Sequence, residues 1–208
     1  YVKKGNQILG LPVAVWVQGF AVNTDLLASV GYKLPSTDKW TTDEFLRMAA
    51  LIKAKAPGKY ATILFAKNQS SDSWWMNWFA AFGAQQFANA DYTRTRINSP
   101  AGLKALDFLR SLVVSGYVPS PAAEIDDDIA LEQWASGKIA GLVMQSAHAP
   151  PSIKSAVDQK MIDKPFAYTF VELPHAVGLA HTPITAGPSL IIVHKSKDAT
   201  RNKLAFEL

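Results

Sequence analysis

Short apolar runs alternate with amphipathic stretches along this chain of 208 residues. Residues 8–17 and 19–23 are rich in β-branched and aromatic side chains, which predicts two strand-like pieces with a bend at Gln18-Gly19. Later apolar runs are bounded by polar or turn residues and have the length of buried strands. These later strands are predicted at residues 62–66, 139–144, 166–173 and 190–194.

Helix signals lie between the apolar runs. Asn23 or Thr24 can cap a short helix, and Thr41 with Glu44 has the capping-box spacing of a second helix. Further amphipathic helices are predicted from near Ser73, from Pro100 with Leu103, Leu106, Leu109 and Val113 as its apolar face, from Asp126–Asp128 to Gly137, and from near Asp198. Because strands and helices alternate, the predicted fold class is α/β.

Charge and composition narrow the class of protein. The formal net charge is +4, but Lys and Arg are scattered, so no nucleic-acid partner is predicted. Cysteine is absent, which excludes disulfides and thiolate metal sites and suits a protein outside the cytoplasm. Residues 5–24 and 173–193 carry no charged side chain, but Gly and Pro interrupt both, so no membrane span is expected. The opening Tyr1-Val2-Lys3-Lys4 does not lead into a signal-peptide pattern.

No metal, cofactor or catalytic motif is predicted. The acids Asp126, Asp127 and Asp128 lack EF-hand spacing, and the dipole of the helix that they open explains them. The four histidines are too far apart in sequence for a zinc pair. A glycosidase leaves no local motif for its two carboxylates, so an enzyme that uses Asp72 or Glu124 stays an alternative.

Several segments taken in order resemble a known family. They are Gly10-Leu11-Pro12-Val13, Val22–Leu27 with Gly31, Trp40-Thr41 with Glu44-Phe45, Phe82-Gly83-Ala84, Trp134–Ala140, Glu172-Leu173-Pro174, and Gly187 with Lys195–Asp198. Their order and spacing are similar to those of family 1 of the extracellular solute-binding proteins, the group that contains maltose-binding protein.

The resemblance implies a periplasmic-binding-protein-like fold of type II, in which two lobes are joined by crossing strands. Residues 20–172 would form the second α/β lobe, and 1–19 and 173–208 would belong to the crossovers and to a first lobe that is mostly missing. It also implies binding without catalysis, in the periplasm or on the cell surface. The expected partners are a small-molecule solute and the transmembrane subunits of an ABC permease.

A carbohydrate is the leading solute, and the site residues follow from this. Trp74 and Trp75 come after the polar loop 68–73, where the family faces its solute, and aromatic rings stack on the C–H faces of sugars. Ser71 and Asp72 are the expected polar companions. Trp74 and Trp78 are four residues apart, so burial of both in the core is the alternative.

The same resemblance implies four further contacts, at Trp16, His148, Gly187 and Ser189. His148 stands where sugar binders commonly have a stacking ring, and imidazole can also donate to an acidic group. A polyamine, an amino-acid-like or an anionic solute therefore stays an alternative to a sugar.

Overall fold

Strands and helices are mixed along the chain, with five helices between the second and third strands, and the predicted α/β class is confirmed. The computed structural model describes residues 2–4, 7–84, 87, 93–182, 186–191 and 197–207. The strands are β1 (Val2–Lys4), β2 (Gln7–Asn23), β3 (Gly141–Gln145), β4 (Tyr168–Val171) and β5 (Ala186–Ile191). The helices are α1 (Thr24–Ser29), α2 (Thr42–Lys55), α3 (Ser71–Ala81), α4 (Pro100–Val114), α5 (Asp127–Ala135), α6 (Ala149–Asp158) and α7 (Ala199–Glu207).

The chain divides into two compact units. Unit 1 is formed by Tyr1–Val17 and Ala186–Leu208, and unit 2 by Gln18–Thr185. In unit 1 the first part of β2 pairs antiparallel with β1 and with β5. The assignment of residues 20–172 to a second lobe stays a prediction.

In unit 2 the last residues of β2 form the centre of an antiparallel sheet. Phe20 lies opposite Val143 of β3 and also opposite Val171 of β4, so β2 has a neighbour on each side. Buried aromatic rings pack around this strand: the ring centroids of Phe45 and Trp78 are 5.6 Å apart, and Phe20 is 6.2 Å from Trp78. The core of unit 2 therefore encloses the point where β2 ends.

Local capping signals predict the helix starts correctly. The Asn23 side chain accepts a hydrogen bond from the Leu26 amide at 2.8 Å, and Thr41 accepts one from the Glu44 amide at 3.3 Å. Gly31 takes the left-handed conformation expected after α1, with φ of +76°. The helices that were predicted from a capping residue, an apolar face and a terminating glycine are thus confirmed.

Two strand predictions are wrong in detail. β2 runs without a break through Gln18-Gly19, because both residues stay paired with β3. Residues 62–66 form no strand, because their flanking amides bond to loops: Ala61 donates to the Tyr117 carbonyl and Ala66 to the Ala122 carbonyl. The predicted strand 190–194 is observed up to residue 191, and 192–194 lie outside the described residues.

The buried face of α4 also differs from the predicted one. Leu103, Leu106 and Val113 are 57%, 45% and 44% exposed. The helix instead buries the stripe Ala105, Phe108, Leu109 and Leu112. Both stripes of α4 are apolar, and the large Phe108 ring decides between them because it packs on Trp78 and Phe45. None of the helices in the described part of the chain is long and apolar enough to cross a membrane.

Candidate functional site

A cavity of about 160 Å³ opens in unit 2 where β2 and β3 lie beside the starts of α3 and α5. Its polar lining residues are Gln18, Ser70, Ser73, Asp127, Gln145 and His148, and its apolar lining residues include Phe65, Trp74, Leu131 and Met144. Gln18 and Gln145 are direct partners across β2 and β3. The cavity therefore joins two strands and two helix starts, and its lining contains both polar and apolar groups.

A carboxylate of α5 lies in this wall. The Asn68 side-chain amide donates to Asp127 Oδ1 at 2.6 Å. That hydrogen bond, together with a weaker contribution from Ser70, holds the pKa of Asp127 below its usual value. Lys67 pairs instead with the neighbouring Asp126, 3.1 Å away. Asp127 is thus ionised at neutral pH and held by uncharged donors.

Asp126 has a structural role beside the cavity. Its side chain caps α5 by accepting from the Ile129 amide at 3.0 Å. This backbone hydrogen bond, followed by the one from Lys67, lowers the pKa of Asp126. No Lys or Arg is among the described residues that line the cavity. The fixed charge of the cavity wall is therefore negative.

Gln18 forms a buried polar part of the wall. It is 8% exposed, and its Oε1 accepts a hydrogen bond of 2.8 Å from Asn77 Nδ2. Asn77 is itself buried and donates from the same nitrogen to the Ser73 carbonyl at 2.7 Å. These contacts connect the first turn of α3 to the point where β2 enters unit 2.

Two of the predicted site residues lie at the cavity. Trp74 lines it but is only 6% exposed, because its ring packs on Phe65 with centroids 4.4 Å apart. His148 lines it from the turn before α6 and is exposed. Trp74 therefore offers little of its indole face, while the imidazole is open to solvent.

Three other predicted residues lie elsewhere on unit 2. Ser71, Asp72 and Trp75 line a separate, shallow depression beside Ile97. The Trp75 indole nitrogen donates to the Phe65 carbonyl at 3.0 Å, which fixes its ring against the protein. These residues share a helix turn with Trp74 but do not share its cavity.

The remaining predicted residues belong to unit 1. Trp16 of β2 lies opposite Gly187 of β5 in the strand register, and Ser189 lies opposite Ala14. Trp16 is half-buried. The register thus brings Trp16 and Gly187 together, and their contact with a solute stays a prediction.

Among the polar residues of the cavity, sequence reasoning predicted His148 and missed Gln18, Ser70, Ser73, Asp127 and Gln145. Gln18 was interpreted as part of a bend, and Asp127 as a solvated helix start. The available signal was a Gln at 18 and another at 145, each directly after an apolar run, because a polar side chain in a buried strand needs a polar partner. Among the described residues, no three His, Asp or Glu side chains are grouped so that they could hold a metal ion.

Solved structures share this fold. An ABC transporter solute-binding protein from Thermotoga lettingae bound to α-D-tagatose is 23% identical, with a TM-score of 0.71 over 95% of this chain and 48% of its own. One from Agrobacterium radiobacter in complex with ribitol is 19% identical, with a TM-score of 0.77 over 99% of this chain and 49% of its own. UgpB from Mycobacterium tuberculosis in complex with glycerophosphocholine is 17% identical, with a TM-score of 0.74 over 99% and 47%.

These likenesses define the class of fold as that of the type II periplasmic binding proteins. The chain belongs to the family of bacterial extracellular solute-binding proteins, whose model matches residues 1–208. The resemblance read from the sequence is therefore confirmed, and the family is extracellular, as expected. No curated protein matches the chain. The chain spans about half the length of the solved structures that it resembles.

Proposed function

We propose that this chain is part of the extracytoplasmic solute-binding component of an ABC importer and that the cavity of unit 2 binds a carbohydrate. The observation that carries the proposal is the mixed lining of the cavity. Phe65, Trp74 and Met144 offer apolar surface, while Gln18 and Asp127 offer a donor and a charged acceptor. Sugars have this double character, because their C–H faces are apolar and their hydroxyls both donate and accept.

The family and fold support the remainder of the proposal. Binding proteins of this kind close around a solute. The closed form and the open form therefore present different surfaces for docking on a partner. The partners are then the transmembrane subunits of the permease. In this assignment residues 20–172 are the second lobe, and Trp16, Gly187 and Ser189 contact the solute from the crossover strands.

Within unit 2 the proposal favours Trp74 and His148 as solute contacts. Trp74 lines the cavity among its apolar residues, and the exposed His148 can stack on a sugar or donate to a hydroxyl. Ser71, Asp72 and Trp75 contact the solute only if it extends beyond the cavity to the depression beside Ile97.

A solute that carries an ammonium group is the second candidate. The carboxylate of Asp127 is ionised and is held by uncharged donors, so it attracts a cation and repels an anion. An amino sugar or a polyamine fits this charge better than an anionic solute does.

Hydrolysis finds less support than binding. A glycosidase needs two carboxyl groups, about 5–10 Å apart, on either side of the bond that is cleaved. Asp127 is the one carboxylate among the described residues that line the cavity. Asp72 lines the separate depression, and Glu124 lines neither cavity.

The test is calorimetry on the full-length protein with neutral sugars and polyols, polyamines and amino acids. We expect one hydroxyl-rich solute to bind, and chromatography of the solute afterwards to show no cleavage. His148→Ala should weaken binding, whereas the matched control His181→Ala, also an exposed histidine of unit 2, should not. Cleavage of the solute, or binding of polyamines alone, would contradict the proposed function.

A further inference from the structure

The side chain of Gln18 is buried at the cavity with one of its two terminal atoms unused. Its Oε1 accepts from Asn77, and no residue in the described part of the chain accepts from its amide nitrogen. An amide that loses its water without gaining a partner costs free energy, so buried amide groups are nearly always paired. The Gln18 nitrogen escapes this cost because it is still accessible to solvent, and Gln18 lines the cavity. A solute that displaces water from this nitrogen must accept from it in turn.

The orientation of this amide follows from a backbone group. A carbonyl oxygen can only accept, so the Ser73 carbonyl requires the nitrogen of Asn77, and not its oxygen, to face it. The second hydrogen of that nitrogen points to Gln18 and requires the Gln18 oxygen there. The Gln18 nitrogen is then the atom left for the cavity.

Turning either amide around would break this arrangement. A reversed Gln18 would place its nitrogen against the nitrogen of Asn77, so that two donors would face each other without an acceptor. A reversed Asn77 would place its oxygen against the Ser73 carbonyl. Both alternatives leave buried polar atoms unpaired, and each costs more than one hydrogen bond.

We infer that Gln18 is a specificity-determining residue that donates from its amide nitrogen to an oxygen of the solute, and that Asn77 is the residue that positions it. This inference rests on the proposed function and narrows its solute class. Hydroxyl and carbonyl oxygens accept from Gln18, whereas the ammonium groups of a polyamine only donate. The cavity thus favours a hydroxyl-bearing solute, including an amino sugar, over a polyamine.

The test compares variants of the full-length protein by calorimetry. The probe is whichever of D-glucose, D-tagatose, maltose and ribitol binds the unaltered protein most tightly, with putrescine and spermidine as the amine probes. Gln18→Met removes the donor and the acceptor, while Gln18→Glu keeps the acceptor that Asn77 needs, removes the donor and adds a negative charge. Gln159→Met is the control, since Gln159 is exposed at the end of α6.

We expect Gln18→Met to weaken binding of the sugar or polyol by about tenfold, which is the loss of one hydrogen bond. Gln18→Glu should weaken it at least as much, although it is the closer match in shape. A role in folding alone would lower the melting temperature of these variants and leave the affinity of the folded protein unchanged. The control should bind as the unaltered protein does.

Asn77 is tested by a double-mutant cycle. Asn77→Ala should weaken binding in the unaltered protein and should cause no further loss when Gln18 is already Met, because it acts through Gln18. Circular dichroism and thermal melting check that each variant folds. If Asn77→Ala does not fold, the comparison of Gln18→Met with Gln18→Glu decides the inference alone.

The outcomes separate the two proposals. Unchanged affinity in Gln18→Met, or a loss in Gln18→Glu that is smaller than in Gln18→Met, overturns the inference and leaves the proposed function standing. Tight binding of spermidine without any sugar or polyol overturns both. If none of the sugars, polyols, polyamines and amino acids of the wider screen binds the unaltered protein, the proposed function is refuted, and the inference falls with it.

Discussion

The charge of the cavity wall gives a direct prediction about solute selection. Asp127→Asn replaces one carboxylate oxygen with an amide group and removes a full negative charge at nearly constant shape. The remaining oxygen can still accept from Asn68, which in the unaltered protein donates to Asp127 Oδ1 at 2.6 Å. The cap of α5 is supplied by Asp126 and is untouched. The variant should therefore fold normally and differ from the unaltered protein in its affinity for charged solutes.

The magnitude follows from the position of Asp127 at a half-buried cavity wall. Two like charges about 4 Å apart repel by about 1 kcal/mol in water and about 4 kcal/mol near a protein surface. A sugar acid should then bind between about fivefold and several hundredfold more weakly than its neutral counterpart. In Asp127→Asn the affinities for the sugar acid and for its neutral counterpart should become nearly equal.

The assay is calorimetry of the full-length protein with matched pairs: D-glucose and D-glucuronate, D-galactose and D-galacturonate, maltose and maltobionate. Asp128→Asn is the control, since Asp128 belongs to the same helix turn but lines a different groove, between α5 and α6. Equal binding of acid and neutral sugar by the unaltered protein would refute the reasoning. So would a loss of selectivity in Asp128→Asn as large as that in Asp127→Asn.

Two further predictions concern stability. Gly141→Ala should lower the free energy of unfolding by about 1–3 kcal/mol in urea titrations, because a Cβ there would overlap the fully buried ring of Phe20. Combining it with Phe20→Leu should restore part of this loss. If the losses of the two single variants simply add in the double variant, this explanation is contradicted. Asp126 has a lowered pKa in the folded protein, so its stabilisation is present above the unfolded value of about 3.9 and is lost as the pH falls through the folded value. The urea midpoint of Asp126→Asn should lie below that of the unaltered protein at pH 7, and this difference in midpoint should be smaller at pH 3. The same difference at both pH values would disprove the link between stability and the ionisation of Asp126.

Features that depend on near neighbours in the chain could be predicted from the sequence. The caps at Asn23 and Thr41 join atoms three residues apart, and a left-handed turn at Gly31 needs only a residue without a side chain. The alternation of such helices with apolar runs was enough for the α/β class. The order of the motifs was enough for the family.

Features that depend on packing could not be predicted in this way. α4 carries two apolar stripes, and only the position of Phe108 against Trp78 decides which stripe is buried. β2 continues through Gly19 because β3, more than a hundred residues later, pairs with it there. Propensity alone favours a bend at a glycine, and the strand ladder overrides it.

The candidate site divides in the same way. The sequence by itself indicated a polar loop before an aromatic helix, and hence Trp74 near a solute. Only the tertiary structure separated Trp74 from Trp75 and joined Gln18 to Asn77 and Asn68 to Asp127, each pair 59 residues apart. Contacts between near neighbours are restricted by the backbone conformations that a few residues can adopt. Contacts over such separations form only after the sheet and helices have packed, because packing decides which polar atoms come within hydrogen-bonding distance.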